Sequence, residues 1–315
     1  MKIVCVDGYT LNPGDLSWEK ISALGELMVY DRTPMDQIVK RCEDADVVLS
    51  NKVPFTEETL RRLPKLKMIS VLATGYNVID VAAAKECGVL VCNAPAYGTD
   101  SVAQHTIALL LELANNVGKH VQSTGAGDWQ TADDWCYTVA PVTELAGKTL
   151  GLVGFGNIGE RVALIAKALG MNVIYHTPRK KETDIAVFSD LNTLFSKSDF
   201  ISLHCPLTAD NQCFVNKELL LKMKTSAMII NTARGQLINE LDLANALNQN
   251  IIAGAALDVL SKEPPPPGNP LLNAKNCILS PHIAWISKEA RIRVMDITEQ
   301  NIKGFLDGKV VNGVV

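Results

Sequence analysis

No stretch of this chain approaches the ~18 uninterrupted apolar residues that a membrane-spanning helix needs. The best candidate, residues 107–113, is broken by Glu112. There is no CxxC pair and the five histidines do not cluster, so no metal site is expected. No long basic run is present and the formal net charge is −4, which offers little attraction to a nucleic-acid backbone or an anionic membrane. The opening residues, Met1 to Asp7, reach an acidic side chain too early for a secretory signal and lack the Arg and Ser of a transit peptide, so they read as the first strand of the fold. Repeats at solenoid or propeller periods are also missing.

What is present has the make-up of a globular protein, 47% hydrophobic and 20% charged. Its 315 residues exceed what one hydrophobic core usually supports, so two domains are expected. The eight cysteines (Cys5, Cys42, Cys87, Cys92, Cys136, Cys205, Cys213, Cys277) are scattered, several in apolar runs where a thiol packs as a small hydrophobe. That usage suits a reducing cytoplasm. A small molecule is the expected partner.

Short Val- and Ile-rich runs alternate with helix-period segments along nearly the whole sequence, the pattern of parallel sheets covered on both faces, so the fold class is α/β. Strands are expected near 2–7, 27–30, 46–50, 67–71 and 89–92, making a five-stranded doubly wound unit, with one helix opened by Thr56 before Glu57 and Glu58. An apolar helix follows over about 101–115, then a stretch from Gly118 to Leu145 without clear periodicity that reads as a surface excursion. A second series has strands near 149–154, 172–176, 199–203, 226–231, 251–257 and 277–280, and a final helix runs over about 287–306. The segment from Glu263 to Pro270 contains too many prolines for helix or central strand and is expected to be an ordered loop.

In the second series, a buried strand runs into Gly154-Phe-Gly156-Asn157-Ile158-Gly159, and helical spacing continues to Leu169 before Gly170 stops it. This GxGxxG lies in the strand–turn–helix context that dinucleotide binding requires. Gly154 makes the tight turn, Gly156 admits a pyrophosphate and Gly159 lets helix and strand pack closely, with amides at the helix start on the phosphates. An acidic residue usually follows by roughly twenty positions to take the ribose 2′-hydroxyl. Here Tyr175-His176-Thr177-Pro178-Arg179-Lys180-Lys181 follows instead, which favours NADP over NAD; the alternative is that these are solvated turn lysines.

The other polar residues that stand out follow strands of this second unit: Arg234 in Asn231-Thr-Ala-Arg-Gly235, Glu263 before the prolines, and His282 in Pro281-His-Ile-Ala-Trp285. Singly, each has an ordinary explanation: a surface ion-pair partner, a solvated loop acid, a packed histidine. Together, and in order with Ala73-Thr-Gly-Tyr-Asn77, Asn93-Ala-Pro95, His204-Cys-Pro-Leu-Thr208 and Ala256-Leu-Asp-Val259, they resemble the D-isomer-specific 2-hydroxyacid dehydrogenases over essentially the entire chain. Cys136-Tyr137, Glu144 to Thr149, Glu263 to Leu271 and Pro281 to Trp285 look most like the glycerate dehydrogenase, or hydroxypyruvate reductase, branch.

The resemblance implies hydride transfer between NAD(P)H and a small 2-keto acid to give the D-2-hydroxy acid. Arg234 would grip the substrate carboxylate and polarise the carbonyl, which its planar fork of donors suits better than an ammonium. His282 would be the acid in reduction and the base in oxidation, with Glu263 favouring its imidazolium and fixing its orientation. Thr74 and Gly75 match the loop whose amides meet the substrate carboxylate. Asp258 matches the acid that holds the nicotinamide carboxamide; His204, Pro206, Thr208, Thr232 and Ala233 match residues beside the adenosine and nicotinamide ribose. Arg234 and His282 also face the cofactor, and His176, Thr177 and Arg179 lie by position near its adenosine ribose. His105 reads as core, His120 as surface, and Trp285 as a pocket wall or a buried structural residue.

By the same resemblance, residues 1–98 and 288–315 form a discontinuous, flavodoxin-like substrate domain and 99–287 a Rossmann nucleotide-binding domain, with a homodimer formed through the helix near 101–115 and the excursion after it. Two departures stand out: the missing acid after the second strand, and Gln236 where a glycine commonly follows the Arg-Gly pair. A nucleotide-sensing corepressor-like scaffold on the same fold stays open as an alternative, as does phosphoglycerate dehydrogenase, although the chain shows no C-terminal regulatory segment; Glu263 argues against formate dehydrogenase, which pairs its histidine with an amide.

Overall fold

The first apolar runs form five parallel strands in the computed structural model, which describes residues 1–314: β1 (Lys2–Cys5), β2 (Glu26–Val29), β3 (Val47–Ser50), β4 (Met68–Val71) and β5 (Leu90–Cys92). Their order is β2-β1-β3-β4-β5, the doubly wound flavodoxin-like arrangement. β3 and β4 are buried at every position, which is why their sequences, VVLS and MISV, do not alternate. Short helices connect them: α1 (Glu19–Ser22), α2 (Ile38–Cys42), α3 (Glu57–Arg61) and α4 (Val81–Glu86). Thr56 caps α3 by accepting the Thr59 amide at 3.4 Å, and Asp80 caps α4 through the Ala83 amide at 3.0 Å.

The chain divides into two units, Met1–Gly98 with Ile286–Val315, and Thr99–Trp285. The second opens with α5 (Thr99–Asn115), whose buried stripe of Val102, Ala103, Ile107, Leu110 and Leu113 faces the sheet core. Helix α6 (Val117–Gly125) follows. The strands are β6 (Thr149–Val153), β7 (Asn172–His176), β8 (Val187–Phe188), β9 (Phe200–Leu203), β10 (Met228–Asn231), β11 (Gly254–Leu257) and β12 (Cys277–Leu279), all parallel in the order β12-β11-β10-β9-β6-β7-β8. The first strand lies inside the sheet and the order reverses between β6 and β9, the Rossmann arrangement with one further strand. Helices α7 (Asn157–Ala168), α8 (Leu191–Lys197), α9 (Lys217–Leu220) and α10 (Glu240–Asn248) connect them.

The chain then returns to the first unit as α11 (Lys288–Leu306), started by Ser287, whose hydroxyl accepts the Ala290 amide at 3.2 Å. Arg291 on α11 holds both oxygens of Asp15 at 2.7 Å, and Asn301 Nδ2 donates to the Asn93 carbonyl at 2.9 Å, tying the helix to the end of β5. Two elements lie outside the expected pattern. α6 sits inside the supposed irregular excursion and buries no residue; its apolar Val117 and Val121 stay exposed. β8 is a two-residue exposed edge strand, too short to leave a period-2 signal. Among the described residues no helix is long and apolar enough to cross a membrane, and no group of His, Cys, Asp or Glu could hold a metal ion.

Candidate active site

The glycine-rich turn leaves β6 with Gly154 at φ +98°, where a Cβ would sit 2.5 Å from the His204 carbonyl carbon and the Cys205 amide. A Cβ on Gly159 would lie 2.5 Å from the Gly154 oxygen, so the helix packs directly on its own turn. At Gly156 a Cβ would meet nothing within 4 Å, so this backbone faces open space. The amides of Gly156, Asn157, Ile158 and Gly159 find no acceptor among the described residues, and the first bond of the helix runs from Glu160 N to Gly156 O at 2.9 Å. Four donors at the positive end of a 12-residue helix, beside an open backbone, fit a dinucleotide pyrophosphate.

At the end of β7, Tyr175 is buried, stacked on Phe155 at 4.2 Å between ring centroids, and its hydroxyl donates to the Lys181 carbonyl at 2.6 Å and accepts the Lys181 amide at 3.0 Å. The turn 176–181 is thereby stapled shut. His176 Nδ1 lies 3.0 Å from the Ser189 carbonyl, Thr177 Oγ1 donates to Arg179 O at 2.6 Å, and Lys181 Nζ pairs with Glu160 at 2.9 Å. Arg179 and Lys180 are exposed. Of the hydroxyl-and-cation cluster expected from the sequence, Tyr175 is a core residue and Lys181 an ion-pair partner, which leaves Arg179 and Lys180 as the remaining exposed cations of the turn.

Beyond β9, the His204 ring lies 2.9 Å from Ser202 Oγ, and burial pulls its pKa down to about 4, so it is neutral at physiological pH. Pro206 and Thr208 shape one exposed turn, both bonded at 2.8 Å to the Asn211 side chain. After β10, buried Asn231 accepts the Ala233 amide and donates to the Arg234 carbonyl, each at 2.9 Å, while Thr232 Oγ1 meets Thr106 Oγ1 of α5 at 2.9 Å. Arg234 Nη1 donates to the Ala233 carbonyl at 2.7 Å.

Arg234, Glu263 and His282 follow three adjacent strands, β10, β11 and β12, at the carboxyl edge of the sheet. Glu263 and His282 are in direct contact: Nδ1 lies 2.5 Å from Oε2, while Oε1 accepts the Leu260 amide at 2.9 Å. This commits Nδ1 to the carboxylate and leaves Nε2 for a substrate. His282 has φ +55°, an uncommon backbone conformation for a residue with a side chain, and its amide donates to the Asp258 carbonyl at 2.8 Å. Among the described residues no hydrogen bond links Arg234 to the pair.

Asp258, expected to meet the nicotinamide carboxamide, is 1% exposed and its carboxylate is engaged inside the protein. It accepts from Ser280 Oγ at 2.6 Å and from the Ile283 and Ala284 amides at 2.9 and 2.8 Å, and His105 Nε2 lies 3.4 Å away. Burial alone would raise its pKa, but these donors outweigh it and hold the carboxyl below its usual range. Its first task is to pin the turn that carries His282, and a carboxamide would have to share oxygens already occupied. His105, read from the sequence as core, is part of this network, with Nε2 also 3.0 Å from Ser280 Oγ. Ser280 lies 175 positions away, and nothing local announces it. His120 is half-buried, with Nδ1 2.8 Å from the Asn116 carbonyl, and Trp285 is half-buried.

In the first unit, Thr74 Oγ1 donates to Ala94 O at 2.8 Å and Asn93 Nδ2 donates to Thr74 O at 2.7 Å. These bonds fix the loop after β4, yet the amides of Thr74, Gly75 and Tyr76 have no acceptor among the described residues. A run of free amides on a braced loop suits a carboxylate.

Comparison with known proteins adds three findings. The family model described as D-isomer specific 2-hydroxyacid dehydrogenase, NAD binding domain, matches residues 107–284. A hydroxypyruvate reductase of Blautia hydrogenotrophica is 49% identical over 320 residues, covering 100% of this chain and 99% of the relative, and a glycerate dehydrogenase of Methylorubrum extorquens is 39% identical over 316 residues, covering 99% and 98%. Among solved structures, an acyclic imino acid reductase in complex with NADPH and D-Arg superposes with a TM-score of 0.89 at 34% identity, covering 100% of both chains.

Proposed function

Since the chain belongs to the D-isomer-specific 2-hydroxyacid dehydrogenases and is an NAD(P)-dependent oxidoreductase of 2-keto and 2-hydroxy acids, we propose that it reduces hydroxypyruvate, and glyoxylate as a shorter analogue, with NADPH favoured over NADH. The observation that carries this reading is the 2.5 Å contact between His282 Nδ1 and Glu263, one strand from Arg234. The hydroxypyruvate reductase and glycerate dehydrogenase relatives support the substrate, and the absence of a carboxylate at the end of β7 beside exposed Arg179 and Lys180 supports the cofactor.

A nicotinamide cofactor, when bound, would supply the hydride that reduces the keto group. Arg234 grips the 2-keto acid by its carboxylate and draws electron density onto the carbonyl oxygen. His282 gives its Nε2 proton to the developing alkoxide and recovers one from solvent, while Glu263 keeps Nδ1–H and the ring plane fixed throughout. Gly154, Gly156, Asn157, Ile158 and Gly159 hold the pyrophosphate. His176, Thr177 and Arg179 would attend the adenosine ribose, and His204, Pro206, Thr208, Thr232 and Ala233 would line the rest of the cofactor, while Asp258 holds the turn beside it. We further propose a homodimer through the segment 117–142, where Val117, Val121, Trp129, Trp135, Val139 and Val142 are exposed, and a reducing, cytoplasmic setting in which the eight free cysteines stay unpaired.

The test is loss of reduced-nicotinamide absorbance when purified protein meets NADPH or NADH with hydroxypyruvate or glyoxylate, abolished by Arg234→Ala. No oxidation with any 2-keto acid would favour the nucleotide-sensing scaffold. Oxidation only when an amine is supplied with the keto acid would place the chemistry at an imine, the reaction named for the solved relative.

A further inference from the structure

Glu263 reaches His282 from a loop poorly able to hold itself. Residues 264–267 are four consecutive prolines without an amide to donate, and residues 261–268 are all exposed. Its grip comes from the segment that follows Arg234. The Ser261 amide donates to Glu240 Oε1 at 2.6 Å, and the Ser261 carbonyl accepts from Gln236 Nε2 at 3.0 Å, so this one peptide is held at both polar atoms. The second oxygen of Glu240 accepts from Asn269 Nδ2 at 2.8 Å. Asn269 is 5% exposed and takes the Leu271 amide on its own Oδ1 at 2.9 Å. One carboxylate at the start of α10 therefore fastens both ends of the proline loop. Between these anchors, a Cβ on Gly235 would overlap the Leu260 carbonyl and the Ser261 amide, so the foot of the loop lies flat on the Arg234–Gly235 turn.

We propose that Glu240 and Gln236 are positioning residues for the acid–base pair, holding Glu263 in reach of His282 and locking the pair in register with the guanidinium of Arg234. Gln236 is the departure from the glycine common in the family, and here its side chain has a defined partner in the loop. The inference rests on the proposed roles of Glu263 and His282. The charged groups bonded to His282 or to the turn that carries it are Glu263 on the loop and Asp258 after β11, with His105 on α5 behind Ser280.

The experiment measures kcat and KM against pH for the full chain, using the 2-keto acid most active in the assay above, in Glu240→Ala, Gln236→Ala and the reference variant Glu263→Gln. A misplaced acid costs about tenfold to a hundredfold in kcat, with NADPH affinity and the KM for the keto acid unchanged. The alkaline limb of reduction should shift in the same direction as in Glu263→Gln, since all these substitutions disturb the one carboxylate in contact with His282 Nδ1. Glu240→Gln keeps one acceptor for the Ser261 amide and should recover part of the loss. If Glu263→Gln moves the limb and the Glu240 and Gln236 variants do not, the positioning role is wrong; if Glu263→Gln leaves the limb in place, the acid–base assignment itself fails. Should Glu240→Ala not fold, Gln236→Ala decides, since it removes a single neutral hydrogen bond at a partly exposed position.

Discussion

The same substitution, glycine to alanine, should give opposite signatures at two positions of the phosphate turn. At Gly156 the backbone is extended, φ −90° and ψ −165°, and an added methyl meets no atom within 4 Å. Alanine is compatible there and should leave the ligand-free protein unchanged or more stable by about 0.4–1 kcal/mol, through the unfolded chain. It fills the space a pyrophosphate must enter, however, and one displaced charge-assisted contact is worth about 1.5–3 kcal/mol, or roughly tenfold to a hundredfold in NADPH affinity. At Gly159 the methyl would lie 2.5 Å from the backbone oxygen of Gly154, which cannot swing away as a side chain can. Overpacking of this kind costs about 1–3 kcal/mol, offset in part by the better helix propensity of alanine, about 1 kcal/mol. At about 2–4 °C per kcal/mol for a domain of this size, a fall of several degrees at most is expected. Thermal unfolding without ligand and fluorescence titration with NADPH separate the two effects. A Gly156→Ala protein that binds NADPH as wild type, or that melts lower than Gly159→Ala, would refute the assignment of the turn.

Other outcomes follow from the same geometry. Arg234→Lys should lower kcat/KM for hydroxypyruvate by on the order of a hundredfold, since an ammonium cannot grip the carboxylate and polarise the carbonyl together; steady-state kinetics would show this, and near-normal activity would remove Arg234 from the reaction. Asp258→Asn places an amide NH2 against either the Ile283 or the Ala284 amide and should cost about 1–3 kcal/mol in urea unfolding, together with a loss of kcat, as the turn bearing His282 loosens. His204 is held neutral in the fold, with its pKa depressed to about 4 against 6.5 for a free ring. As pH falls through that interval the unfolded chain binds a proton the native one refuses, so stability should drop by about 2–3 kcal/mol, and His204→Asn should flatten the decline seen in denaturation curves from neutral pH to pH 4.

The strands were legible because a sheet covered on both faces demands unbroken apolar runs, and VVLS, MISV and TLGLV supply them. The glycines of the phosphate turn were legible for a related reason, since contacts as close as that of Gly159 with Gly154 O leave a fixed spacing in the sequence. Helix α6 was not, because Val117 and Val121 alone mark its apolar side, too few residues to set a period. Nor was the inward turn of Asp258 towards His105 and Ser280, or the hold of Glu240 on Ser261 and Asn269. Those side chains lie 21 to 175 positions from their partners, and only the assembled sheet brings them together. The lysines after β7 show a third limit: Lys181 reads as one more cation for a phosphate until its neighbour Glu160, on a different element, is seen to claim it.

The return of α11 to the first unit bears on how the polypeptide matures on the ribosome. Arg291 reaches Asp15 across 276 positions, and Asn301 meets the end of β5 across 208. The strands made earliest must therefore wait, with part of their surface bare, until the whole intervening nucleotide-binding unit has been synthesised. Such distant closure is slow and leaves sticky surface uncovered, so the newborn N-terminal sheet is the stretch where chaperone binding and aggregation during translation should concentrate.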